Sequence, residues 1–412
     1  IYLLGDASHA TVDAHFASHP EVIKVWRWNT NPSQLQFDSS PLIPTAGTPE
    51  WSVWVRGQPG QTTLTTLIGQ TPYLVECTGD ATSTYNVQIT QKTLPARSTW
   101  VRNGANLLGF PTRLNAGAYP FFSAYFAPFP VAIATNTKIF KYVGGPLGPA
   151  NPVQVFSPAA ERLDRTQAYW FEAPVVGNFY APIEVTPSNL DGLHFGRTGG
   201  SLTVRLRNRT AAPVTITVEP QASAAAPVGQ EAITSAVPLT RRTFDAGTSS
   251  FVDAAFTAFN QVIGPQSSVE LTFGVDRALM SGAVDALYAS FVRFTDSGTL
   301  MDIALPASAR VASLAGLWIG DIAVNGVNSL APGSPGATTA RPFPLRVLLH
   351  VDHAGNARLL SQVFLGRLAP APHSVGLCTR ESALKPDDKA GAMRFVSTQL
   401  PPKTEISGPG TV

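Results

Sequence analysis

Hydrophobic and polar residues alternate at period two through much of this chain. Leu202, Val204 and Leu206 are separated by Thr203 and Arg205, and Asn208 to Pro213 reads as a turn. Val214, Ile216 and Val218 then resume the alternation, which predicts two half-buried strands around a loop. Val269, Leu271, Phe273 and Val275 repeat the pattern, followed by Phe291 to Thr295, the turn Asp296-Ser297-Gly298, and Met301 to Leu305. About seven short strands in roughly 120 residues is the size of a two-sheet sandwich. Phe251 to Val262 admits two readings. Val252, Ala255, Phe256 and Phe259 share one face of a helix, but the strand reading is preferred. Further on, Leu345 to Val351, a turn at Asp352 to Asn356, and Ala357 to Leu365 predict a hairpin in which Gly355 supplies a positive φ. After Leu368 the pattern is irregular, and the chain is expected to end in mid-domain.

The first half carries a repeat. Asp13-Ala14-His15-Phe16-Ala17-Ser18-His19-Pro20 lies over Ser123-Ala124-Tyr125-Phe126-Ala127-Pro128-Phe129-Pro130. Val25-Trp26-Arg27-Trp28 lies over Ile139-Phe140-Lys141-Tyr142, and Tyr73-Leu74-Val75-Glu76 over Tyr169-Trp170-Phe171-Glu172. Three matched blocks in one order predict sister domains. On that alignment Ile1-Tyr2-Leu3-Leu4-Gly5 corresponds to Asn106-Leu107-Leu108-Gly109, so the first unit is expected to lack its natural opening. Strands are expected at 22–28, 51–55, 73–77 and 85–90 in the first unit, with a helical turn between Ala10 and Ser18 stopped by Pro20. In the second they are expected near Leu107 and at 139–143, 153–156, 169–172 and 183–185.

The expected fold class is therefore all-β, with tandem domains. Residues 1–92 form the first repeat unit, 98–186 the second, 187–309 an immunoglobulin-like sandwich, and 310–412 a β-rich C-terminal module. Composition agrees: among 412 residues only 14% are charged, against about 25% in typical soluble proteins, and 34 Gly and 35 Pro suit frequent turns. A formal net charge of +2 is too small for a nucleic-acid partner. Arg205, Arg207 and Arg209 alternate with apolar residues as the outward face of a strand. No apolar run reaches the roughly 18 residues of a membrane span. Cys77 and Cys378 are read as separate buried thiols.

The stretch Gly104-Ala105-Asn106-Leu107-Leu108-Gly109-Phe110-Pro111, with the Val25–Trp28 and Pro72–Glu76 blocks, resembles the GWNLVGNPYPS-type repeats of large secreted bacterial proteins. Ala105 replaces the aromatic residue of that motif, and Phe110 the Asn before Pro. The segment from Phe195 to Pro306 resembles bacterial immunoglobulin-like domains of secreted surface proteins. Gly316-Leu317-Trp318-Ile319-Gly320, with the stretch from Leu345 to Leu360, resembles a module of the same class. The resemblance implies folds and an extracellular or cell-surface location, and it transfers no catalytic residue.

Candidate chemistry is sparse. His9, His15 and His19 with Asp6 and Asp13 have ligand types that suit zinc. The repeat, however, places Tyr125 and Phe129 opposite His15 and His19, so packing is the favoured reading. His350, Asp352 and His353 read as a solvated hairpin tip. No Walker loop, dinucleotide fingerprint, nucleophile elbow, EF-hand or H-E-x-x-H is present. No metal, cofactor or catalytic residue is expected. Trp26, Trp28, Trp51 and Trp54 form a candidate aromatic binding surface, for sugar stacking or protein docking, with core packing as the competing reading. Ile1, Tyr2, Leu3 and Leu4 form a candidate strand-exchange edge. The expected function is a non-enzymatic structural or adhesive subunit of a bacterial surface assembly or filament, with self-association or other surface proteins as partners. The alternative is a carbohydrate-binding region of a larger secreted enzyme.

Overall fold

The computed structural model describes residues 1–3, 5–7, 11–30, 42–80, 83–87, 89–102, 104–113, 119–148, 150–174, 176–227, 229–312, 316–327, 337–351 and 357–359. The chain divides into two compact units, Ile1–Val311 and Ala312–Val412. The protein is all-β: its described residues form mainly antiparallel sheets, with only two α-helices of four residues each. Among these residues no helix is long and apolar enough to cross a membrane.

The first part of the larger unit contains β1 (Tyr2–Leu3), β2 (Gly5–Ala7), α1 (Val12–His15), β3 (Val22–Trp28), β4 (Trp51–Val55), β5 (Thr71–Cys77) and β6 (Gln91–Thr93). Then come β7 (Ala105–Leu108), α2 (Phe122–Tyr125), β8 (Lys138–Lys141), β9 (Val153–Gln154) and β10 (Tyr169–Glu172). Two four-stranded sheets result, β1-β5-β3-β4 and β7-β10-β8-β9, and they are built alike. In each, the last strand lies between the first two. Trp26 pairs with Leu74 next to Tyr73, as Phe140 pairs with Trp170 next to Tyr169. Both tyrosine hydroxyls accept a backbone N–H from five residues upstream, Ile68 at 2.7 Å and Asp164 at 2.9 Å. The helical turns also match. Phe16 N–H donates to Val12 O and Phe126 N–H to Phe122 O, at 3.0 and 2.8 Å. Pro20 and Pro130 follow each turn.

Register corrects two expectations. Tyr73 N–H donates to Ile1 O, while Leu108 lies opposite Tyr169, so Ile1 matches Leu108 and Tyr2 matches Gly109. Relative to the expected placement of Gly5 over Gly109, the match is shifted by three positions. The strand expected at 85–90 is absent among its described residues, and the ladder forms at Gln91–Thr93 against Gly5–Ala7. Side chains hold that segment instead: Tyr85 Oη donates to Thr78 O at 2.6 Å, and Val87 and Ile89 pack on the core of the first sheet.

The matched positions Tyr2 and Gly109 meet. A Cβ built on Gly109 would lie 2.1 Å from Tyr2 Cγ, so glycine is required for the ring to seat. Gly109→Ala is expected to displace Tyr2 and cost about 1–3 kcal/mol as an overpacking change. A urea midpoint lowered relative to Gly60→Ala, where nothing lies within 4 Å of the added methyl, checks it.

The remainder of this unit is a sandwich. It contains β11 (Ile183–Pro187), β12 (Leu193–His194), β13 (Ser201–Asn208), β14 (Val214–Ala222), β15 (Ile233–Ser235), β16 (Leu239–Asp245), β17 (Ser250–Ala255), β18 (Phe259–Ile263), β19 (Ser268–Val275), β20 (Leu287–Asp296) and β21 (Asp302–Arg310). One sheet has the order β11-β13-β19-β16-β17, the other β12-β21-β20-β14-β18 with β15 alongside β20. Val204, Leu206, Leu271 and Phe273 from the first face Ile216, Val218, Phe294 and Leu305 from the second. That core continues without interruption into Phe171 of the second four-stranded sheet and into Phe110, Phe122 and Phe126, which pack against it.

In the smaller unit, β22 (Gly316–Val327), β23 (Ala337–Val351) and β24 (Ala357–Leu359) form an antiparallel meander. The predicted hairpin of Leu345–Val351 with Ala357 is its second half. Residues 360–412 lie outside the described set, as do Cys378 and the irregular C-terminal stretch.

Candidate functional site

The four tryptophans do not form an exposed surface. Trp26, Trp51 and Trp54 are 7%, 2% and 0% exposed, and Trp28 is half-buried. The reason is that both faces of the first sheet are covered. On one face Trp54 packs with Phe16, Val25 and Tyr73 under α1, and its Nε1 donates to Asp13 Oδ1 at 3.0 Å. On the other face Trp26, Trp28 and Trp51 pack against Leu107, Phe140 and Trp170 of the second sheet. Trp28 and Trp51 stand edge-on to Trp170, with centroids 5.1 and 5.9 Å away. Trp28 Nε1 donates to Ala105 O at 3.0 Å, and Trp170 Nε1 to Tyr142 Oη at 2.8 Å. The aromatics expected to offer a platform are thus the joint between two sheets.

The candidate edge Ile1–Leu4 is paired on one side, as the end strand of its own sheet. Tyr2 and Leu3 pair with Pro72 and Thr71 of their own sheet and are buried, while Leu4 lies outside the described residues. Among the described residues of the N-terminal stretch, His15, His19 and Asp13 each have separate neighbours. His15 is buried edge-on to Phe16, His19 Nδ1 lies 3.0 Å from Glu21 Oε1, and Asp13 serves Trp54. His9, Asp352 and His353 fall outside the described residues, and His350 is exposed on β23. Among the described residues no three His, Cys, Asp or Glu side chains are placed to hold a metal ion. Cys77 is a half-buried free thiol whose pKa is raised, first by burial and then by the charges of Glu21 and Glu76.

An ionic cluster that the sequence did not signal lies where the second sheet meets the sandwich. Arg165 Nη1 donates to Thr112 O at 2.6 Å and to Asp302 O at 3.1 Å, and stands 3.2 Å from Asp302 Oδ2. Asp302 accepts a bidentate pair from Arg293 at 2.9 and 2.8 Å, and Arg293 continues to Glu219 at 3.3 Å. Burial raises the Asp302 pKa, but hydrogen bonds from Arg293 and the charges of Arg165, Arg293 and Arg113 outweigh it, leaving the carboxyl below its usual value. Arg165 and Asp302 are 137 residues apart, so no local motif marks them.

No family model matches the chain, and no curated protein matches it. Solved structures similar to part of it include the Pseudomonas aeruginosa CupB2 chaperone and the E. coli chaperone DraB. Identities are 8% and 7%; each match covers 42% of this chain, and 97% and 92% of those chains, at a TM-score of 0.20. A likeness at that level does not bear on function.

Proposed function

We propose that the chain is a non-enzymatic structural or adhesive subunit of an extracellular bacterial surface assembly. The observation that carries this reading is the unbroken core from Ala96 to Ala309, which makes the second four-stranded sheet and the sandwich one packed body. The aromatic joint of Trp28, Trp51 and Trp170 couples the first sheet to it, and the Arg165–Asp302 contact ties the second sheet's turn to the sandwich. Aromatic residues are thus placed where they couple sheets together, as a framework subunit requires. In the alternative reading, a polysaccharide-binding region, the same tryptophans would have to face solvent.

Electron microscopy and multi-angle light scattering of the purified chain test the proposal. Concentration-dependent oligomers or filaments are expected. A chain that stays monomeric and is retained on a polysaccharide column overturns it in favour of the second reading.

A further inference from the structure

We infer that the exposed edge of β17 is a self-association surface, on which a second copy of this chain pairs its own β17 antiparallel about a two-fold axis. β17 ends its sheet, carries no strand on its outer side among the described residues, and is exposed at all six positions. An unpaired edge of this kind presents a row of N–H and C=O groups to a further strand.

Several other edges between residues 1 and 311 are guarded. On β4, Val53 and Val55 donate their N–H groups to Thr63 Oγ1 and Thr62 Oγ1, and Val53 O accepts from Thr63 and Leu64. β11 ends in Pro187, and the Gln261 side chain on β18 donates to Val262 O. β1, β9 and β12 have two residues each. β17 has no Pro, no Lys and no bulge in its pairing with β16.

The side chains are self-complementary. Phe251 lies opposite Phe244 on β16, their rings 5.4 Å apart, and both are exposed, at 70% and 59%. They share the outward face with the Arg242–Asp253 pair, whose bidentate bonds measure 3.0 and 2.8 Å. Arg241, on the opposite face, lies over the Phe259 ring of the other sheet. With Phe251 on the two-fold axis, Phe244, Phe251 and their copies form one row of four rings. Val252 then sits opposite Ser250 of the second copy, and each Asp253 keeps its own Arg242. Centring the pair on Asp253 would set two carboxylates directly opposite, which is destabilising. In this register Ser250–Val252 of the two copies pair, and charge and apolar pattern favour it over one centred on Asp253 in an isologous contact.

This inference rests on the proposed self-association and names its surface. The test is register-specific cross-linking of the full chain carrying Cys77→Ser and Cys378→Ser. Phe251→Cys is expected to give disulfide dimers on mild oxidation at least about tenfold faster than Ala254→Cys, which lies away from the axis. Phe251→Arg is expected to weaken dimerisation at least about tenfold, read by light scattering, with the circular dichroism spectrum unchanged. Equal or absent cross-linking at both positions in a chain that still oligomerises overturns the β17 surface alone. A chain that remains monomeric throughout overturns both the surface and the self-association it rests on.

Discussion

Asp302→Ala is expected to lower the unfolding free energy by about 3–5 kcal/mol, the cost of leaving a buried charge without its partner. Asp302 and Arg165 side chains are 6% and 13% exposed, so water cannot replace the lost carboxylate at Arg165. Asp302→Asn, which retains an acceptor for Arg293, is expected to fall between wild type and alanine. Removing the exposed partner Glu231 from Arg310 is expected to cost no more than about 1 kcal/mol. Urea denaturation at pH 7 separates these outcomes. The pH dependence has a definite sign. The folded Asp302 pKa lies below the unfolded value of about 3.9, so its stabilisation is complete above that value and is lost as pH falls through the folded pKa. The gap between wild type and Asp302→Ala is therefore expected to narrow below about pH 4. A gap that is constant with pH would assign the effect to packing.

The strands of the sandwich were legible because each has one face in the core. Leu202, Val204 and Leu206 pair directly with Phe273, Leu271 and Val269, and the period-two signal is the signature of that one-sided burial. Phe251 to Val262 was ambiguous because it resolves into β17 and β18 with Phe256 buried at the corner between them, and an apolar residue at a corner imitates a helical spacing. The fate of the tryptophans was only half legible. Alternation placed Trp26 and Trp28 on one face, which is where they are. It could not show that this face meets a second sheet, since that depends on Leu107 and Trp170, roughly 80 and 140 residues further on. The ionic cluster was hidden for the same reason. Arg165 lies in the turn before β10, and Asp302 opens β21, so only the packing of one on the other reveals the pair.

Trp170→Ala should destabilise the protein by about 3–5 kcal/mol, the range for truncating a buried aromatic side chain to alanine. Trp170 is 0% exposed and touches both sheets: it lies on β10, and Trp28 and Trp51 of the first sheet stand edge-on against it. Deleting the ring opens a cavity bounded by rigid strands on both sides, so little of it can close by relaxation. The substitution also leaves Tyr142 Oη without its N–H donor, although the hydroxyl still donates to Leu42 O at 2.6 Å. Trp170→Phe retains most of the apolar contact and loses that hydrogen bond, so a smaller loss is expected. Because the cavity lies between the sheets, Trp170→Ala should also loosen the first sheet selectively. Hydrogen exchange is expected to quicken in β3 and β5 while β13 and β19, in the core of the sandwich, keep their protection. Uniform loss of protection across all four strands would show that the two sheets and the sandwich unfold as one unit, and that the tryptophan joint is not a boundary between them.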